Sequence, residues 1–405
     1  MGAPALWAAG GSSSPEQQAK VRDLTGHYPE KPSIAVSYSI PVEALGFAAP
    51  GPIYLGQRNS LASLDFIGED RLLFTFRVPA LLHRPPGSEG DSDEREIRAV
   101  VLSLPAGTLE AETNWLVHDR SRYLWMLHDG NFLLRDRDGL LEGGATLATR
   151  PILHFPGPLL SIEFDPEQQF LVTNSREPAA KAAARQGPAD DSEAGEQERT
   201  PDLVLRVLKR DSGQVLLVTR VSSLIHLPIN GEGYVAPSRD GAIEWTLMMN
   251  SYGGGQRSIG KVKSACMPNA SFVSDEVLLA TACSDAGDDA LVAMTTRGQT
   301  LWTDLVPDRL IWPLLRMSAN GSRFVRETLY SGHSIDTMNP MGSGDIKGQW
   351  VQVFDAATGE IAFETPVTPV LDAGGNVAIS PSGRRIAVLN DNAIQVFVLP
   401  PPPAK

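Results

Sequence analysis

The sequence repeats one local pattern along most of its length: an apolar run, a short polar turn and a second apolar run. The copy at 377–389 reads VAISPSGRRIAVL, and the copy at 161–172 reads SIEFDPEQQFLV. Strand-forming residues on both sides of a turn rich in Gly, Pro, Asp, Asn or Ser predict a β-hairpin. Further copies of this first hairpin lie at 64–74, 271–280 and 315–325.

A second type of hairpin follows the first in each repeat. Its clearest copies are VQVFDAATGEIAF at 351–363 and LRVLKRDSGQVLL at 205–217. The glycine in each turn can adopt a positive φ at little steric cost. A proline before the first hairpin recurs after 40 and 45 residues, at Pro228, Pro268 and Pro313. Four antiparallel strands in a period of this length are typical of the blades of a β-propeller.

The repeat therefore predicts an all-β chain with a single β-propeller over residues 31–400. We expect seven four-stranded blades, and six blades is the alternative, because the second unit is short. The predicted blades are 58–118, 119–150, 155–222, 226–264, 266–306, 312–366 and 372–400. The last unit has only three strands before a run of prolines, which cannot continue a ladder. The N-terminal segment SIAVSYSI at 33–40 is predicted to supply the missing strand and to close the last blade.

Two segments are predicted to lie outside the blades. Residues 177–200 are rich in Ala, Glu, Asp and Gln, and we expect a mobile acidic insertion loop there. Residues 1–30 are predicted to be a disordered N-terminal arm or the remnant of a signal peptide. The small apolar stretch APALWAA at 3–9 resembles the end of such a peptide without its charged head.

Charge and hydropathy exclude two classes of partner. The net charge is −13 and no dense basic run exists, so we expect no binding to nucleic acid. No apolar run approaches the roughly 20 residues that span a bilayer, so no membrane span is predicted.

The two cysteines, Cys266 and Cys283, are predicted to form a disulfide. A two-residue turn at Ser274–Asp275 would place them directly opposite each other on two paired strands, within bonding distance. Two free buried thiols are the alternative. A disulfide favours an oxidising compartment, so we expect a periplasmic or secreted protein, and a cytoplasmic location stays open.

Three residues are candidates for a binding site at the mouth of the channel: His154, His226 and Trp312. They stand next to the repeat proline, where an inner strand should begin, and the alternative is that this position packs between blades. No histidine has a partner at the spacing of a metal site, and no Gly-x-Ser-x-Gly sequence is present. We therefore predict no catalytic residue, no metal and no cofactor.

The turn SPSG at 380–383 and the stretch VFDAATG at 353–359 resemble the WD40-like and TolB-like bacterial propellers. The Gly-His dipeptide of that family is absent, and its Trp-Asp is Phe354-Asp355 here. The resemblance implies a rigid monomeric platform for protein partners, and it implies no particular reaction. The predicted function is a non-enzymatic binding scaffold of the bacterial cell envelope. The alternative is an enzyme at the channel mouth, such as a lactonase-like hydrolase or a quinoprotein.

Overall fold

The computed structural model describes most of the chain between residues 20 and 402. The described ranges are 20–23, 28–48, 62–78, 94–118, 122–177, 202–284, 289–307, 309–333, 345–368, 370 and 375–402. Within them, the regular structure is β-strand except for one short 3-10 helix, Glu43–Leu45. The predicted acidic insertion lies outside the described residues from residue 178 onward.

Twenty-eight strands are present in the described ranges. They are β1 (Lys20–Asp23), β2 (Tyr38–Pro41), β3 (Ala62–Phe66), β4 (Arg71–Arg77), β5 (Arg95–Ser103), β6 (Thr108–Val117), β7 (Leu124–Met126), β8 (Phe132–Asp136), β9 (Gly139–Gly143), β10 (Thr149–His154), β11 (Leu159–Phe164), β12 (Phe170–Glu177), β13 (Asp202–Lys209), β14 (Val215–Val221), β15 (Gly233–Arg239), β16 (Glu244–Ser251), β17 (Gln256–Lys263), β18 (Asn269–Ser274), β19 (Val277–Ala282), β20 (Asp289–Thr295), β21 (Thr300–Val306), β22 (Leu310–Met317), β23 (Arg323–Ser331), β24 (Ile346–Asp355), β25 (Ile361–Val367), β26 (Val377–Ile379), β27 (Arg385–Asn390) and β28 (Ala393–Val398).

These strands form seven separate antiparallel sheets, which are the seven blades of a β-propeller. Blades 1, 2 and 3 are β3–β6, β7–β10 and β11–β14, and blade 4 contains β15–β17. Blades 5 and 6 are β18–β21 and β22–β25, and blade 7 is β26–β28 with β2. The prediction of seven blades is confirmed. The short second unit forms a complete blade that ends at His154, so the six-blade alternative is wrong.

Blade 4 departs from the regular pattern at its inner edge. Residues 228–230 take the place of an inner strand through a single bridge between Ile229 and Tyr234. Two backbone hydrogen bonds support the bridge: Val235 N–H to the Pro228 carbonyl at 2.8 Å and Asn230 N–H to the Gly233 carbonyl at 2.9 Å. Since Pro228 has no N–H to donate, a longer ladder is disfavoured here.

The first and last parts of the chain meet in blade 7, as predicted. Strand β2 pairs antiparallel with β28, with Tyr38 opposite Val396 and Pro41 opposite Ala393. The proline stands at the end of an outermost strand, where a missing donor costs no ladder bond. Pairing the first strand with the last covers an edge that would otherwise be free.

The chain before β2 also contacts two other blades. Strand β1 pairs in parallel with β21 at the outer edge of blade 5. The Tyr28 hydroxyl donates a hydrogen bond to the Gln349 carbonyl of blade 6 at 2.9 Å, and its ring stacks on Tyr330. The described structure therefore reaches further toward the N-terminus than the predicted boundary at residue 31, and residues 1–19 of the predicted arm lie outside it.

Side chains, rather than backbone ladders, hold neighbouring blades together. One cluster of buried apolar residues lies at each of the seven blade interfaces. Between blades 5 and 6, for example, the rings of Trp302, Phe324 and Phe354 stack in sequence with centroids 6.1 and 5.0 Å apart. Burial of this apolar surface is the main force that closes the ring. Trp115 and Trp350 are also buried in these clusters.

Buried arginines add polar links between blades. Arg323 of blade 6 is 1% exposed, and its Nε donates to Asp355 at 2.7 Å. Its Nη1 donates to the Gly383 carbonyl of blade 7 at 2.9 Å. Asp355 belongs to the dipeptide Phe354-Asp355. In this chain, its carboxylate therefore binds an arginine that connects two blades.

The cysteines form the predicted disulfide, but by a different register from the predicted one. Strand β18 pairs with β19 so that Ala270 lies opposite Ala280 and Ser274 opposite Val277, with an irregularity between Phe272 and Ser274. The predicted pairing of Val273 with Glu276 is therefore wrong by one position. Cys266 and Cys283 lie beyond the ladder, with Cα atoms 5.5 Å apart. A backbone hydrogen bond from Ala265 to Cys283 at 3.0 Å holds them together.

Candidate binding site in the central channel and at its upper mouth

The inner strands surround a central channel with a cavity volume of about 820 Å³. In each regular blade, the innermost strand pairs with the second strand of the blade. The residue of the innermost strand in the second-to-last of these pairs lines the channel. These residues, one per blade, are Asp65, Trp125, Glu163, Phe272, Arg316 and Ala378. The equivalent register places them in one ring, so charges that are far apart in the sequence face a common space.

Arg316 of blade 6 reaches across the channel to Asp65 of blade 1. Its Nη1 lies 3.3 Å from Asp65 Oδ1, although blade 7 separates the two blades along the ring. The two side chains are only 14% and 8% exposed. Ser63 Oγ donates to the other carboxylate oxygen at 2.5 Å. Burial raises the pKa of Asp65, and the charge of Arg316 opposes that shift.

Arg122 of blade 2 brings a second guanidinium to this cluster. Protein lies on all sides of Arg122, but its side chain faces the cavity and is therefore exposed to the space inside the channel. Its Nε donates to the Leu124 carbonyl at 3.1 Å, and its guanidinium lies 5.3 Å from the centre of the Trp125 ring. Burial, followed by the charge of Arg316, lowers the pKa of Arg122 to about 10, so it stays charged at neutral pH.

A second polar cluster joins blades 3 and 5. His226 Nδ1 lies 2.7 Å from Glu163 Oε2, and His226 Nε2 lies 2.6 Å from the Ala270 carbonyl oxygen. Ser271 Oγ is 3.3 Å from the same Nε2. A serine, a histidine and a carboxylate thus stand in the order that nucleophilic catalysis uses.

The contacts of His226 determine its protonation. A carbonyl oxygen only accepts, so the 2.6 Å contact requires hydrogen on Nε2, and the contact with Glu163 requires hydrogen on Nδ1. Burial alone would lower the pKa of His226, but the hydrogen bond and charge of Glu163 outweigh it and raise the pKa. An imidazolium that donates from both nitrogens cannot take a proton from Ser271. In this arrangement His226 is a cross-link between blades.

Among the predicted mouth residues, the structure describes the side chains of His154 and His226, and these two lie on different blades. His226 lines the channel. His154 instead ends the outer strand of blade 2, where it is 76% exposed and lies 3.6 Å from Asp138. Trp312 lies on β22, and its side chain is outside the described part of the structure. The repeat proline, Pro156, lies two residues after His154, but the inner strand of blade 3 begins only at Leu159.

Asp65, Glu163 and Arg316 were not among the predicted site residues. Each stands directly before a large apolar residue at the end of the first strand of its hairpin, as Asp65-Phe66, Glu163-Phe164 and Arg316-Met317. A charged residue at the same position of three repeats was the signal for a polar channel. Aligning the first hairpins on their turns would have identified it.

Four of the ten exposed large hydrophobic residues in the described ranges lie at one end of the ring, which we name the upper face. It is the end at which the chain passes from one blade to the next. Leu224 and Ile225 precede blade 4, Ile243 lies in its β15–β16 turn, and Met267 follows it. They are 57%, 38%, 47% and 66% exposed. The Ser264 N–H donates to the Ile243 carbonyl at 2.8 Å, and Met267 directly follows the disulfide. We call these four residues the apolar rim.

Two further features are absent from the part of the chain that the structure describes. Among them, no group of three His, Cys, Asp or Glu side chains is arranged to hold a metal ion. None of their helices has the length and apolarity needed to cross a membrane.

Comparison with known proteins identifies no family for this chain. No family profile matches the chain, and no curated protein sequence is significantly similar to it. Among solved structures, the Pyrococcus horikoshii acylaminoacyl peptidase is 12% identical with a TM-score of 0.46, over 82% of this chain and 49% of the peptidase. The chain thus spans about half the length of that enzyme.

Two other solved structures match over nearly their whole length. The β-propeller domain of the Trilobed protease from Pyrococcus furiosus is 11% identical with a TM-score of 0.44, over 84% of this chain and 94% of that domain. Chaetomium thermophilum Sqt1, solved with the N-terminus of the ribosomal protein L10, is 11% identical with a TM-score of 0.44, over 90% of this chain and all of Sqt1. Likenesses at these identities and TM-scores say nothing about the activity of this chain.

Proposed function

We propose that this protein is a non-enzymatic propeller that binds another protein at its upper face. The observation that carries the proposal is the apolar rim. Its four exposed aliphatic side chains come from three successive segments around blade 4. Neighbouring exposed apolar residues of this kind mark protein interaction sites more often than scattered single ones do.

The rim has the rigidity that a preformed interface needs. The disulfide fixes Cys266, the neighbour of Met267, to the end of β19. His226, the neighbour of Ile225, is held by Glu163 and by the Ala270 carbonyl. Side chains on a fixed backbone lose less entropy on binding than side chains on a mobile loop. The same disulfide supports our proposal of an extracytoplasmic location, in the periplasm or outside the cell.

The test compares charge substitutions on the two ends of the ring. Ile243→Asp changes the rim, and Val215→Asp changes the turn region between β13 and β14 at the opposite end. The two side chains are matched, with exposures of 47% and 49%. We expect one defined partner from an envelope extract to be retained by the wild type and Val215→Asp. Ile243→Asp and Met267→Asp should reduce its recovery at least tenfold, as a buried charge at an interface centre does. Equal recovery by all four proteins, or no partner at all, contradicts the proposal.

An enzyme remains the second candidate because of the Glu163, His226 and Ser271 cluster. Hydrolysis would require Nε2 of His226 to leave the Ala270 carbonyl and to accept the Ser271 proton. A fluorophosphonate reagent, which labels activated serines, separates the two candidates. The binding proposal predicts no labelling of the native protein above that of Ser271→Ala. Labelling that maps to Ser271 and disappears in His226→Gln would establish the enzyme instead.

A further inference from the structure

Charged side chains from several blades meet around Asp65 in the channel. Two guanidinium groups, those of Arg122 and Arg316, interact with this one carboxylate. Glu327 faces Arg316 from the next strand of blade 6. Burial raises the pKa of Glu327 to about 7, so it carries only part of a negative charge at neutral pH. Arg122 and Arg316 therefore bring two guanidinium groups to the same cavity as Asp65.

Arg122 has donors that point at the cavity. Its Nε is the atom that hydrogen-bonds to the Leu124 carbonyl. Its two terminal nitrogens have no hydrogen-bond partner among the described residues. A guanidinium presents a planar pair of donors that matches the two oxygens of a carboxylate or phosphate. The side chain cannot drift freely, because its stem is held by that hydrogen bond and its plane lies over Trp125.

Arg316 completes the arrangement from the opposite wall. Its long 3.3 Å contact with Asp65 leaves this pair weaker than an ideal charge-assisted bond of about 2.8 Å. An anion between the two arginines would contact both guanidiniums. It would also offset the repulsion between these two like charges.

We propose that the central channel binds a small molecule bearing a carboxylate or phosphate group, which is held between Arg122 and Arg316. Asp65 positions Arg316 and limits the net charge of the site. The cavity of about 820 Å³ admits a molecule of metabolite size. Trp125 and Met126 line the channel beside Arg122 and offer an apolar wall to the rest of the ligand.

The experiment is a calorimetric titration of the full-length protein with inorganic phosphate and with citrate, at constant ionic strength. Sodium chloride serves as the non-specific anion. We expect saturable binding of phosphate or citrate at millimolar concentrations or below. Preference for citrate assigns the site to carboxylates, and preference for phosphate assigns it to phosphoryl groups.

Variants separate this site from adventitious anion binding. Arg122→Gln should weaken binding by about tenfold or more, which is the usual effect of losing a charge-assisted hydrogen bond. The exposed Arg150, on β10 and 74% exposed, provides the matched control Arg150→Gln, which should leave binding unchanged. Arg122→Lys keeps the charge without the planar donors and should give an intermediate affinity.

Asp65→Asn should change the anion affinity in the opposite direction from Arg122→Gln. Removing the competing carboxylate should tighten anion binding several-fold, because the attraction between Arg316 and the ligand is no longer shared. A variant that merely damaged the fold would lose binding instead. Absence of saturable binding to phosphate and citrate, or equal affinities for Arg122→Gln and Arg150→Gln, would overturn the proposal.

Discussion

The buried ion pair between Arg323 and Asp355 gives the sharpest stability prediction. Asp355→Ala removes the carboxylate that accepts from Arg323 Nε at 2.7 Å, in a pair whose side chains are 1% and 9% exposed. Removing one partner of such a pair leaves an uncompensated buried charge, which typically costs about 3–5 kcal/mol. Arg323 keeps its hydrogen bond to the Gly383 carbonyl. We therefore expect the lower end, a loss of about 3 kcal/mol in the free energy of unfolding.

The assay is urea denaturation at neutral pH, followed by tryptophan fluorescence and checked for reversibility. The matched control is Glu112→Ala, which removes an ion pair to Arg98 of the same 2.7 Å length at the surface, with side chains 37% and 52% exposed. An exposed pair contributes less than about 1 kcal/mol, so the control should barely move the midpoint. If Asp355→Ala costs no more than Glu112→Ala, the link between blades 6 and 7 is not a stabilising one and the argument fails.

Three further predictions concern other parts of the ring. Cys266→Ser should lower the free energy of unfolding by about 3 kcal/mol, because the unfolded chain gains entropy when the disulfide loop is opened. The denatured wild type should show no free thiol, and two titratable thiols would contradict the disulfide. Ile40→Ala, at 6% exposure in β2, should cost about 2–4 kcal/mol in urea denaturation, whereas Val36→Ala, at 39% exposure, should change stability little. Burial raises the pKa of Glu327 from 4.5 to about 7. Between these two pH values the carboxyl group is protonated in the folded protein and ionised in the unfolded chain, so the free energy of unfolding falls as the pH rises through this range. Glu327→Gln should flatten this part of the melting-temperature profile and raise stability above neutral pH, and an unchanged profile would refute the shift.

The blade architecture could be predicted from the sequence because its signals are local. Each hairpin carries its own apolar runs and its own turn residues, as in the SPSG turn at 380–383, and the period orders them into blades. The closure by the N-terminal strand followed from a missing strand at one end and a spare one at the other. These inferences need no knowledge of how side chains pack.

Register and side-chain direction could not be predicted in the same way. The irregularity after Phe272 shifts β18 by one position, and no turn residue signals it. His154 ends an outer strand, because the repeat proline marks the connection between blades and not the start of the inner strand. The pairing of Arg316 with Asp65 joins residues on blades 6 and 1, and only the closed ring brings them together.

A covalent link between the first and last strands tests the central claim, a ring of seven blades closed by β2. Ser39 lies opposite Gln395 in the β2–β28 ladder. Directly opposite residues meet the distance requirement for a disulfide. The double variant Ser39→Cys with Gln395→Cys should oxidise to an intramolecular disulfide, seen as a cross-linked peptide pair by mass spectrometry. Ser39→Cys with Val398→Cys, three positions out of register, should not. Efficient oxidation of the second pair, or none of the first, would contradict the closure and with it the placement of Arg316 beside Asp65.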